Sequence, residues 1–311
     1  MLNNCWVELE ITPTNLVFSE EISFKGAQWK LEINGNKARL TSRIVHTERS
    51  LSDKAYEDDR YKINQIIGHA RNIICFVFGV DVKWGYKSCT GDLLASAYPS
   101  IHQQNDTESS SSNFDDKVLK IKHTITKSIA KSRKKGVSNM LNYWRRGYEL
   151  DQLSYDAESF LNYFKVLECL SEVGKGSKQQ KKMLDRFTVK QTGKKQSIPI
   201  PSLKNYTFNQ IYLATSILAG AGYDEKVYRN NMNYVLKVIN MRHNWGVAHK
   251  IFRNNPYDTY DNMGQHSIEF SHVMIENIFL EKMSKYFILR YLNPGKYKLD
   301  NSSGMPTIIT A

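Results

Sequence analysis

Hydrophobic and polar positions alternate with a period of two over the first part of the chain and of about 3.6 over the rest, and this change of period sorts the elements. Cys5-Trp-Val-Glu-Leu-Glu-Ile11 and Gln28-Trp-Lys-Leu-Glu-Ile33 have strand character, and an Asn34-Gly35-Asn36 turn leads into a return strand from Lys37 to Val45. Asn and Gly between two β-rich runs signal a hairpin, because both tolerate the positive φ of tight hairpin turns. The pattern then predicts a helix over 56–78. Ile63, Ile66, Ile67, Ala70, Ile73 and Ile74 recur there on one side and would cover one face of a small sheet. Residues 1–106 therefore read as an α+β domain, a sensor or an interface.

The polar run Thr107-Glu-Ser-Ser-Ser-Ser-Asn113 has nothing to bury, which makes 107–116 the predicted linker. Helical periodicity dominates beyond it, with helices expected over 117–148, 155–173, 208–219, 224–250 and 265–292. Amphipathic helices in that number imply an all-α helical bundle over 117–292. The segment after Asn293-Pro294-Gly295, residues 293–311, is expected to be a loose tail.

Within the bundle, Phe160, Tyr163, Phe164, Leu167 and Leu170 form a continuous stripe at three- and four-residue steps, the core face of one helix. Glu168 sits beside that stripe. It is either a solvated flank residue or a carboxylate that needs a cation from a facing helix.

The strongest candidate chemistry is Arg242-His243-Asn244-Trp245-Gly246-Val247-Ala248-His249. Seven residues along a helix turn through about 700°, so Arg242 and His249 would share one face two turns apart. Arg can fork onto phosphate oxygens, and His moves a proton near neutral pH, which together suit phosphodiester chemistry. Spacing alone is weak: Arg39 and His46 stand equally far apart, but in a segment of strand character, where an odd separation sends side chains to opposite faces. Around the main pair, His243 either helps orient phosphate or is exposed, and Asn244, about 200° around the helix from Arg242, is expected to bond locally or to a neighbouring helix. Trp245 shares the face of Arg242 and His249, where it either packs in a core or interface or stacks a base. Against a catalytic role stands the option that Arg242 pairs with Glu168 while His249 closes the helix C-terminus.

Composition adds a partner class. A net charge of +12 and a pI near 9.3 favour polyanions. From Lys117 to Tyr148 there are ten Lys and Arg and no acid, and from Gly174 to Gln196 eight against Asp185 alone. Lys131, Arg133, Lys134, Lys135, Arg145 and Arg146 are the candidate nucleic-acid contacts, with Tyr143 and Trp144 either a stacking patch beside them or core. Such tracts assist RNA contact without specifying sequence. Cys5, Cys75, Cys89 and Cys169 form no C-x-x-C pair, so a reducing cytoplasm is expected. The N-terminus lacks secretory-signal features, and the longest apolar runs are too short to cross a bilayer. No Walker loop or nucleophile elbow occurs, and Asp58-Asp59 and Asp115-Asp116 lack the further ligands a metal nuclease requires, so neither metal nor cofactor is expected.

Two of these elements together resemble the HEPN superfamily, within it the Apea-like branch. They are an aromatic helix ending in a Leu-Glu pair, Tyr163-Phe-Lys-Val-Leu-Glu168, and a later helix carrying Arg-x6-His, Arg242 to His249, with a polar residue, His243, after the Arg and Ala248 before the His. The resemblance covers residues from about 117 to 292; the N-terminal domain resembles no family. It implies a helical bundle that forms a homodimer with two Arg/His motifs facing across a cleft. It also implies metal-independent endoribonuclease activity, with His249 as general acid or base and Arg242 on the scissile phosphate. Toxin or antiviral defence roles, with an inhibitor or trigger protein, follow from the same resemblance. So does the alternative of a noncatalytic HEPN module that binds nucleic acid or a partner protein.

Overall fold

The computed structural model describes residues 2–11, 17–24, 27–35, 37–45, 53–80, 82–83, 87–89, 116–130, 132–191, 206–223, 229–244, 263–300 and 307–310, with side chains for part of them. The described chain is mostly helical with an antiparallel β region, and it divides into two compact units, Met1–Arg133 and Lys134–Ala311.

The first unit is built on an antiparallel sheet of order β2-β3-β4-β1-β5, from β1 (Leu2–Ile11), β2 (Val17–Phe24), β3 (Ala27–Asn34), β4 (Lys37–Val45) and β5 (Val82–Lys83); β6 (Lys87–Cys89) also pairs with β1. The hairpin between β3 and β4 closes at Gly35, whose φ of 60° is the left-handed conformation that the Asn-Gly signal predicts. Alternation is clean on β4: Ala38 and Leu40 are buried, whereas Lys37 and Arg39 face water, with Arg39 opposite Glu8 and Glu32. Arg39 thus belongs to a solvated sheet face. His46 lies outside the described residues. The sequence pattern does not predict strand β2, because Glu20 falls on the same face as Phe18, Ile22 and Phe24; Phe18 is nonetheless buried. The register of β1 with β6 sets Cys5 opposite Cys89.

Helix α1 (Asp53–Phe78) lies where the isoleucine stripe predicts, burying Ile67, Ala70, Ile73 and Ile74. Arg71 of α1 donates from Nε and Nη2 to the Val82 carbonyl, at 3.1 and 2.8 Å, which ties the helix to β5. Burial pushes the neighbouring His69 imidazole down from 6.5 to about 4. The folded His69 therefore resists a proton that the unfolded chain accepts. Stability from this group is present above pH 6.5, falls as pH drops toward 4, and amounts to about 3 kcal/mol at most. Urea midpoints measured near neutral pH and at about pH 4.5 should fall less for His69→Gln than for the wild type. Equal falls would show that His69 is not the acid-sensitive group.

Where the sequence predicts one helix over 117–148, there are two: α2 (Asp116–Ala130) and α3 (Val137–Gln152). The break falls in Ser132-Arg-Lys-Lys-Gly136, where adjacent like charges repel and Gly136 takes a φ of 82° at the start of α3. Helix α2 belongs to the first unit, not to the bundle. It packs on β2 and α1, with His123 stacked on Phe18 at 4.4 Å and Lys122 over the Phe78 ring at 4.9 Å.

The second unit holds α3, α4 (Asp156–Gly174), α5 (Lys178–Gln191), α6 (Phe208–Gly220), α7 (Arg229–Asn244) and α8 (Met263–Leu292). Helix α4 is central: its stripe of Phe160, Tyr163, Phe164, Leu167 and Leu170 is fully buried, against α3, α6 and α8. Helix α6 starts at a capping box, in which the Thr207 side chain accepts from Gln210 N–H and the Gln210 side chain accepts from Thr207 N–H. Helix α5 falls in the basic stretch 174–196, outside the helices the pattern predicts, because few of its residues are apolar. Its signal was Ser177-Lys-Gln-Gln180, a capping pattern: Gln180 N–H donates to Ser177 Oγ at 3.2 Å. The expected loose tail instead forms a hairpin of β7 (Tyr297–Asp300) and β8 (Thr307–Thr310), because Tyr297 finds burial and the β-branched Thr-Ile-Ile-Thr run pairs with it.

Candidate functional site

Helix α7 packs on α6 and buries Met232, Val235, Leu236, Val238, Ile239 and Met241. Arg242 follows Met241 at the margin of that apolar face. Its Nη2 lies 2.8 Å from Glu168 Oε1, with the two side chains 30% and 38% exposed. Its guanidinium carbon stands 4.8 Å from the centroid of the buried Phe164 ring. Phe164 and Glu168 are one turn apart on α4, hence on one face of it. The cation is therefore held by a ring and a carboxylate from the same helix.

These exposures decide what the contact is. A fully buried pair would be a core strut, costly to break because the surviving charge would be stranded. With a third of each side chain in water, the pair is screened and is worth about 1 kcal/mol or less. Glu168 is thus a partly solvated partner of Arg242. The surroundings are acidic. Burial first, then Glu172 and Glu168, push the Cys169 thiol up to about 11, so it stays protonated and is a poor nucleophile. On the α8 side, Lys237 pairs with the largely buried Glu276. Burial, reinforced by that carboxylate, holds the Tyr234 phenol well above its usual range and keeps it neutral.

Helix α7 is described only as far as Asn244. The side chains of His243 and Asn244, the whole of Trp245 and His249, and the expected continuation of the helix to 250 lie outside the described residues, as does Lys131. Phe164, read from the sequence as core alone, also seats Arg242. Its position four residues before Glu168 was the signal for that role.

The basic tract is divided by its contacts. Arg133, Lys135 and Arg146 are exposed. Lys134 donates to the carbonyl oxygens of Tyr291 and, at 3.2 Å, Leu292, closing the C-terminus of α8 where a cation is favoured. Tyr291 answers by donating its hydroxyl to the Lys135 carbonyl at 3.1 Å. Arg145 pairs with Glu149 one turn along α3. Trp144 is no stacking platform. Its ring is wholly buried, its Nε1 donates to the Glu281 carbonyl at 3.1 Å, and the apolar face of α3 draws it inward. Trp144→Ala is expected to cost roughly 3–5 kcal/mol in urea unfolding, whereas a loss under 1 kcal/mol would contradict its buried position. Tyr143 is half-buried with the Lys165 ammonium 5.3 Å from its ring centroid.

Among the described residues no group of three or more His, Cys, Asp or Glu is placed to hold a metal ion, and no helix is long and apolar enough to cross a membrane. No family model, curated protein or solved structure matches the chain.

Proposed function

We propose that the second unit is a HEPN-like bundle acting in the cytoplasm as a metal-independent endoribonuclease. The observation that supports this reading is the 2.8 Å contact between Arg242 and Glu168. It joins the two separate sequence elements on which the resemblance rests, the aromatic Leu-Glu helix and the helix that opens the Arg-x6-His motif. Arg242 would hold the scissile phosphate and offset charge developing on the phosphorane. His249 would take the proton from the attacking 2′-hydroxyl or deliver one to the leaving 5′-oxygen. A homodimer would supply both roles at once. The products would be 2′,3′-cyclic phosphate and 5′-hydroxyl ends. A toxin or antiviral role, with an inhibitor or trigger protein, completes the reading by analogy alone.

The test is incubation of labelled RNA in EDTA with wild type, Arg242→Ala and His249→Ala. Cleavage by wild type only is the expected result, and 3′-hydroxyl products or dependence on a metal would refute the chemistry. A second reading is favoured by the same ion pair, since Arg242 is already engaged: a noncatalytic module that binds RNA or a partner protein. It predicts no cleavage by any of the three.

The basic residues should separate in the same assay. Arg146→Ala should reduce the salt slope of RNA binding by about 0.7, the value for one phosphate contact on a single strand. Lys134→Ala should leave that slope unchanged and cost about 0.3–1 kcal/mol of stability through the lost α8 closure. The reverse pattern would mean that Lys134 leaves α8 to bind RNA.

A further inference from the structure

We infer that Glu168 is an internal competitor for phosphate: it occupies the Arg242 guanidinium at rest and is displaced when an RNA phosphate arrives. This rests on the proposed RNA reading of the site and adds its regulation. Three observations carry it. The carboxylate forms an ion pair with the guanidinium, Nη2 to Oε1 at 2.8 Å, and so occupies the cation that a phosphate oxygen would approach. Both side chains reach water, so exchange of one anion for another strands no buried charge. The Phe164 ring, fully buried on α4, lies beneath the guanidinium at 4.8 Å and stays in place whichever anion is bound. Phe164 is the fixed seat and Glu168 the exchangeable partner.

The exchange gives the site a preference. A lone phosphate must displace the carboxylate unaided. A strand brings neighbouring phosphates whose contacts with other cations hold it nearby, so displacement becomes an intramolecular event at high effective concentration. The site is thereby biased toward extended polyanions over mononucleotides and free phosphate.

Binding of a short single-stranded 2′-O-methyl RNA, which lacks the attacking hydroxyl, reads the competition without any catalysis. Fluorescence anisotropy would compare wild type, Glu168→Gln, Arg242→Ala, the double variant, and Glu172→Gln as a charge-matched control one turn away. Circular dichroism would check the fold of each. Glu168→Gln should tighten binding by about five-fold, the equivalent of a half-exposed ion pair, and the gain should vanish in the Arg242→Ala background. Unchanged or weaker binding by Glu168→Gln overturns the proposal. So does an equal gain from Glu172→Gln, or a gain that survives without Arg242, because either would reflect net charge alone. Cleavage of ordinary RNA by wild type is scored separately. A protein that cleaves but shows no Glu168 gain refutes the competition and keeps the nuclease reading. One that shows the Arg242-dependent gain without cleaving does the opposite, and the absence of both binding and cleavage by wild type and Glu168→Gln refutes both.

Discussion

Gly174→Ala and Gly220→Ala are each expected to destabilise the helical unit severely, although helix propensity argues the other way. Replacing Gly with Ala inside a helix ordinarily gains up to about 1 kcal/mol. Here α4 and α6 cross backbone to backbone. A Cβ on Gly174 would run into the Ser216 carbonyl oxygen and the Gly220 nitrogen, and one on Gly220 into the Leu170 carbonyl. Backbone atoms cannot rotate aside as a side-chain end can, so the helices must separate and uncover the stripe that α4 buries. The expected loss is about 3 kcal/mol, the upper end for overpacking. Gly68→Ala on α1 is the internal control: nothing lies within 4 Å of its would-be Cβ, and it should be neutral or stabilising. Urea midpoints decide the matter, and a neutral Gly174→Ala would mean that α4 and α6 do not cross this closely.

The second large effect is on activity. Under the proposed function, His249→Ala should lower RNA cleavage by about 10²–10⁴-fold, the usual contribution of a positioned general acid or base. Arg242→Ala should fall as steeply. Arg242→Lys should restore charge without restoring the planar fork, and so recover little. Thermal melts of the three should shift by no more than the loss of a half-exposed pair implies, about 1 kcal/mol. If Arg242→Ala instead unfolds the protein, Arg242 is a structural strut and the ribonuclease reading loses its supporting observation.

Much of the fold was legible because burial imposes a period. The stripe from Phe160 to Leu170 and the part of the α1 face from Ile67 to Ile74 were predicted from spacing and are buried. So were the Gly35 hairpin and the start of α6, where local turn and cap chemistry is written in a few residues. Elements whose stability comes from partners were not legible. Helix α5 has too few apolar residues to show a period, and β2 carries Glu20 on its apolar face. The β7–β8 hairpin looks like an open tail until Tyr297 is seen to be buried. The split of α2 from α3 was missed because both halves share one basic composition. Charge runs say little about direction: Lys134 turned out to close α8, and Trp144 to be core.

At the candidate site the division is the same. The sequence by itself determined which residues bring chemistry: a guanidinium at position 242, a carboxylate beside an aromatic stripe at 168, and a basic excess that favours polyanions. Residues 168 and 242 are too far apart in the chain for any periodicity to relate them. Only the tertiary structure decided that they meet, through the packing of α4 and α7 on α6, and that they meet half-exposed at 2.8 Å over Phe164. Identity is local and can be read from one dimension. Solvent access, which makes the same ion pair a strut or an exchangeable contact, depends on what the rest of the chain packs around it.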